Sequence, residues 1–172
     1  MLRFLSAFIA AAALIPAPGN PPRRAPGFSI PDSKMIQHDL QDYRGKFVIL
    51  DIMQTHCPHC AQFTDVLEKA AAKYGTRVAI LSIVVPPDTQ ATVQEYIAAH
   101  KITFPILFDC GQVAASYLRI TPQNPTIQVP HVFVINRQGT IVADHGYGAG
   151  TEKLFEAPEF FAEIDKLVAP SK

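Results

Sequence analysis

Two cysteines stand three apart, Cys57 and Cys60, with Pro58 and His59 between them and His56 just ahead, in the stretch DIMQTHCPHC. Three chemistries use such a pair: a metal clamp, a short structural bridge, or a redox couple that opens and closes. A cysteine-built zinc site needs a second pair, or histidines at ligand spacing. Cys110 stands alone, and the histidines at 38, 56, 59, 100, 131 and 145 show no H-x₃₋₅-H spacing. A bridge across so short a loop restrains little of the unfolded chain. The redox couple has positive support. The pair lies between an apolar run and an amphipathic pattern, which puts Cys57 at a helix N-terminus. Unpaired N–H groups and the helix dipole favour a thiolate there. Cys60 lies one turn further on, on the same face and more buried. Cys57 is therefore expected to attack or be attacked, and Cys60 to resolve the mixed disulfide, closing a Cys57–Cys60 bridge.

The flanking elements explain this placement. Phe47 to Met53 is an almost unbroken apolar run, as expected for a strand buried on both faces. Cys60, Phe63, Val66, Leu67, Ala70 and Tyr74 recur at helical steps, and Gly75 is the expected C-cap. RVAILSIVV reads as a second buried strand, and Pro86-Pro87-Asp88-Thr89 breaks the chain and caps a helix over about 90–100, with Val93 and Ile97 inward. FPILFD is a third strand, followed by a short helix from Gly111 to Leu118. HVFVIN and TIVADHG are joined by the turn NRQG as a hairpin, and Thr151 to Val168 is a closing helix interrupted at Ala157-Pro158. This order predicts a central mixed sheet with helices on both faces.

With 172 residues, the chain suits one domain. Fifteen basic residues balance fifteen acidic ones, so nothing points to a nucleic-acid partner. Arg3 followed by the apolar run Phe4 to Ile15 reads as an export signal over 1–19, too short to span a bilayer, which takes ~20 residues. Uncleaved, it would act as a membrane anchor. Either way the folded part is expected outside the cytoplasm, periplasmic or secreted, where disulfides persist. Residues 20–27 are read as a flexible lead-in and 28–170 as the domain.

From Ala25 onward the chain resembles the TlpA/ResA group of exported thiol–disulfide oxidoreductases, within the wider AhpC/TSA-like redoxin superfamily. The matching text is APGFSIPD, DYRGKFVILDIMQTHCPHC, ITFPILFD and VPHVFVINRQGTIVADHGYG, in order, within about 140 of the 172 residues. The resemblance implies a thioredoxin fold, with an extra N-terminal β-hairpin at about 28–40 and an inserted βα unit at about 77–108. It implies that Pro130 is a cis-proline facing the cysteine pair and that Val129 offers its backbone to a substrate peptide. It also gives Asp51 the role of moving protons to and from Cys60. Cys-Pro-His-Cys is similar to the DsbA-type oxidases, so His59 is expected to favour the thiolate at Cys57 and make the couple more oxidising than thioredoxin. The partners implied are protein thiols and disulfides, plus a second redox partner that recharges the couple. No cofactor is implied, and a monomer is expected.

The sequence departs from that pattern in places. His56 stands where a tryptophan is usual, Phe63 where an acid is common, and TPQNPTIQ at 121–128 lengthens the approach to Pro130. Cys110 is expected as a half-buried free thiol. Two other functions compete. A copper-handling protein of the Sco type would use Cys57, Cys60 and His131 as ligands. A thiol peroxidase would need a proline and a serine or threonine where Leu50 and Gln54 stand.

Overall fold

The computed structural model describes residues 22–168. The expected signal over 1–19 lies outside the described residues. No helix among those described is long and apolar enough to cross a membrane.

Eight strands and four α-helices follow one another: β1 (Arg23–Arg24), β2 (Ser29–Pro31), β3 (Gln37–Asp39), β4 (Phe47–Met53), α1 (Pro58–Tyr74), β5 (Val78–Val84), α2 (Gln90–His100), β6 (Ile106–Phe108), α3 (Gln112–Leu118), β7 (His131–Ile135), β8 (Thr140–Gly146) and α4 (Ala157–Val168). The main sheet runs β1-β8-β7-β4-β5-β6, and β2 with β3 makes a separate hairpin. β4, β5 and β6 are parallel, while β7, β8 and β1 run antiparallel to their neighbours. This is the thioredoxin-type mixed sheet that the resemblance implied.

Every residue of β4 is buried, because it is a central strand covered on both faces. Alternation then sorts its side chains between two cores. Leu50 and Ile52 join Leu81, Ile83, Phe133, Phe28 and Tyr117 on the face covered by the hairpin and α3. Phe47 and Ile49 join Phe63, Leu67 and Phe160 under α1 and α4. α1 ends where expected, at Gly75 with φ 53°, a left-handed value that glycine adopts at little cost.

Two expectations need correction. Residues 20–27 are not a flexible lead-in throughout: Arg23–Arg24 add an edge strand to β8, and the Ala25 N–H donates to the Gly139 carbonyl. Arg23 anchors it by donating to the Tyr117 carbonyl at 2.6 Å. Cys110 is exposed rather than half-buried. In α2 Val93 and the half-buried Ile97 face the core as expected, and Tyr96 fills it beside them. The final helix breaks at Glu156, and Pro158 sits in the first turn of α4, where a missing N–H is harmless.

Candidate active site

β4 delivers the chain to the cysteine pair, and α1 begins at it. Cys57 is the N-cap of α1, with extended backbone at φ −86° and ψ 116°, and Pro58 fills the first helical position. The Cys57 Sγ takes the place of a capping oxygen: it accepts the Cys60 N–H at 3.3 Å. One of the free N–H groups of the helix start thus points at the sulfur that sequence reasoning had named as nucleophile. Cys57 is half-buried and Cys60 is 1% exposed, so one sulfur is reachable and the other is not.

The loop before Cys57 is tied to the inserted βα unit. Asp88 accepts the Thr55 N–H at 2.9 Å and the Thr55 hydroxyl, and it also accepts the Thr92 hydroxyl of α2 at 3.1 Å. The Gln54 amide donates to the Pro86 carbonyl at 3.1 Å. Two residues ahead of the sulfur, Gln54 and Thr55, are therefore fixed by groups about thirty positions away in sequence. His56, in place of the usual tryptophan, is exposed. Phe63, in place of the usual acid, is buried edge-on against Phe155 (4.8 Å) and Phe160 (5.1 Å), as a core residue.

Across from Cys57 lies the loop into β7. The Val129–Pro130 peptide bond is cis, and the Cys57 thiol points at the Val129 carbonyl at 3.9 Å. The structure thus brings Cys57, Cys60, Val129 and Pro130 together at one end of the central strands.

Asp51 lies behind the pair, and it is not at a sheet edge. In register it sits between Ser82 on β5 and Val132 on β7, with no exposed surface. One carboxylate oxygen accepts the Ser82 hydroxyl at 3.2 Å, and the other has no partner. Burial pushes its pKa up to about 7, although the Ser82 hydrogen bond works in the other direction. The Cys60 thiol is also pushed far up, first by burial, then by the Asp51 charge and by the neighbouring Cys57. A half-satisfied acid that titrates near neutrality, next to a buried thiol, suits proton transfer between them. Nearby, the hydroxyls of Thr64 and Tyr96 meet at 2.8 Å in the core that also holds Cys60.

His59 is exposed, and its ring stacks on Tyr147 at 4.3 Å between centroids and 23° between planes. A groove of about 280 Å³ opens beside it, lined by Gln62, Val66, Lys69, Tyr147 and Phe155.

His131 does not join the cysteines. It lies on β7 at the parity of Phe133, stacks on that ring at 4.6 Å, and pairs with Asp144 at 2.8 Å. Phe133 packs in the core under the hairpin and α3, whereas Cys60 sits on α1 across the sheet. Among the described residues no group of three histidines, cysteines or acids could hold a metal ion. The copper-ligand set of Cys57, Cys60 and His131 is corrected on this ground: strand alternation sends the histidine to the opposite face.

Sequence reasoning missed Ser82, Asp88, Gln128 and Tyr147. Ser82 carried a signal, as the lone hydroxyl inside an apolar strand. The others depend on contacts between distant segments.

The AhpC/TSA family matches residues 21–144. The thioredoxin-like protein YneN of Bacillus subtilis is 26% identical over 136 residues, covering 78% of this chain and 75% of its own. The thiol-disulfide oxidoreductase ResA of Halalkalibacterium halodurans is 28% identical over 147 residues, covering 86% and 76%. Among solved structures, a putative thiol:disulfide interchange protein DsbE from Chlorobium tepidum superposes with a TM-score of 0.70 at 21% identity, covering 86% of this chain and 96% of that one.

Proposed function

Since the chain belongs to the AhpC/TSA family, we propose that it is a thiol–disulfide oxidoreductase that exchanges disulfides with protein substrates through Cys57 and Cys60. The observation that carries this reading is the asymmetry of the pair. A reachable sulfur caps a helix, and a buried one lies next to a carboxyl group that titrates near neutrality.

In the reductive direction the Cys57 thiolate attacks one sulfur of a substrate disulfide. The bond broken is the substrate's own, the bond formed is a mixed disulfide at Cys57, and the first substrate thiolate departs. Cys60 then gives its proton to Asp51 and attacks the Cys57 Sγ. That closes the Cys57–Cys60 disulfide and releases the second substrate thiol, so two electrons have moved from the pair to the substrate. The oxidative direction is the same path reversed, and a second redox partner resets the couple. Val129 and Pro130 align the substrate chain, with the Val129 carbonyl already turned toward Cys57. His59, in the Cys-Pro-His-Cys sequence, favours the thiolate at Cys57 and makes the couple more oxidising than thioredoxin.

The peroxidase alternative gains nothing. Leu50 is a fully buried strand residue, and the Gln54 amide is occupied by the Pro86 carbonyl. The export-signal pattern at 1–19 supports an extracytoplasmic location for the domain, whose first described strand is Arg23–Arg24, and a single copy of the chain suffices for the exchange.

Trapping tests the function. A Cys60→Ser variant should accumulate covalent adducts with protein partners through Cys57, released by dithiothreitol and identified by mass spectrometry. No adducts, together with a Cys57 that alkylates at pH 7 no faster than a model cysteine, would overturn the reading.

A further inference from the structure

Tyr147 touches both halves of the site. Its backbone N–H donates to the Pro130 carbonyl at 3.0 Å, and its carbonyl accepts the Gln128 side-chain amide. Gln128 is held close over this segment: a Cβ at Gly148 would come within 2.8 Å of its amide nitrogen. The tyrosine backbone is therefore fixed to the loop that carries Val129 and Pro130. Its ring lies on the other half, stacked on His59 at 4.3 Å and edge-on to the buried Phe155 at 5.4 Å. An exposed imidazole in the first turn of α1 would otherwise be free to turn through several rotamers. Here it lies against a ring that is itself wedged by Phe155.

We propose that Tyr147 is a positioning residue for the redox couple: its ring fixes the His59 imidazole beside the cysteine pair, and its backbone ties that ring to the proline loop. This rests on the thiol–disulfide reading and deepens it. A histidine between the two cysteines affects the sulfur through its location, so an imidazole released into solvent loses much of that influence. Replacing the ring leaves both backbone hydrogen bonds in place, which separates the effect on His59 from any effect on the proline loop.

The test is a set of variants equilibrated with reduced and oxidised glutathione, reading the fraction of Cys57–Cys60 disulfide. Tyr147→Leu should make the couple less oxidising, changing its equilibrium constant about two- to fivefold, the size of an aromatic contact at an exposed site. Tyr147→Phe, which keeps the ring, should restore the unmodified value. In a His59→Ala background, Tyr147→Leu should produce no further change. Tyr147→Met, which fills the space against Phe155 without a ring, should repeat the leucine result; the unmodified value in Met would mean that leucine acted through lost packing and would overturn the proposal. A leucine variant with the unmodified equilibrium constant overturns the proposal, as does an equal shift with and without His59. If the unmodified protein forms no Cys57–Cys60 disulfide at any glutathione ratio, the thiol–disulfide reading falls and this inference falls with it.

Discussion

Three aspartates are buried among the described residues, and two of them, Asp32 in the hairpin corner and Asp51 behind the cysteine pair, differ in the donors around them. Asp32 accepts the Lys34 N–H at 2.8 Å, the Ile36 N–H at 2.9 Å and the His38 ring at 3.1 Å. Burial would raise its pKa, but the hydrogen bonds from Ile36, His38 and Lys34 outweigh burial and lower it. Asp51 has one donor, Ser82, and burial prevails. Where the fold supplies donors, a buried carboxylate is a structural anion. Where it withholds them, the same group keeps a proton near neutrality and can trade it.

The largest expected effect is on stability against pH. The folded pKa of Asp51, about 7, lies above the unfolded value of ~3.9. Below pH ~4 both states hold the proton and Asp51 carries no penalty. As pH rises from there to about 7 the unfolded state ionises first, so stability falls, by about 4 kcal/mol in total once both are ionised. Asp51→Asn should remove that slope, which urea unfolding at pH 5 and pH 8 would reveal; a slope unchanged from the parent would count against the assignment.

Next is the chemistry. Only ionised Asp51 can accept the Cys60 proton, so resolution of the mixed disulfide should speed up with pH, with a midpoint near 7. Asp51→Asn should slow it on the order of 10²-fold and flatten the profile. Stopped-flow measurement of mixed-disulfide decay between pH 5 and 9 checks this, and an identical profile in the variant would refute the role.

Asp32→Ala should act on stability alone. It removes the acceptor for two backbone N–H groups and should cost about 2 kcal/mol at pH 7 while leaving the exchange rate alone. Because its pKa is lowered on folding, Asp32 contributes stability above ~3.9 that is lost as pH falls through its folded value. Loss of exchange activity in a folded Asp32→Ala protein would break the contrast. The smallest effect is expected for Ser82→Ala, which removes the one donor to Asp51 and should move the midpoint of the resolution profile upward. A downward move would mean that the hydroxyl is not holding the ionised form.

Much of this was legible in the amino-acid order. FVILDIM announced both a buried strand and a carboxylate inside it, because seven residues with one polar member have no other economical placement. The spacing from Cys60 to Tyr74 and the glycine after it fixed α1 to the residue. Pro130 in its cis form rested on the family resemblance, since no local signal distinguishes it. Other features were out of reach for physical reasons. Arg23–Arg24 is a strand of two arginines, too short for any period and held by partners such as Tyr117, Thr140 and Ile141, far away in sequence. Residues 131–135 are apolar and buried throughout after His131, and such a run does not say which parity faces α1, so the sequence left open whether the His131 of the copper alternative joins the cysteines. Tyr147 meets His59 across 88 residues, a contact that composition cannot encode.

The depth of Cys60 has one more consequence. Of the two sulfurs of the pair, a small thiol or oxidant diffusing past meets Cys57 alone, so in the proposed exchange every electron pair entering or leaving the couple must use the same doorway. In that exchange a stray reagent would short-circuit the pair only by first competing for the surface where a visiting protein would dock, which would insulate the protein from leakage in either direction.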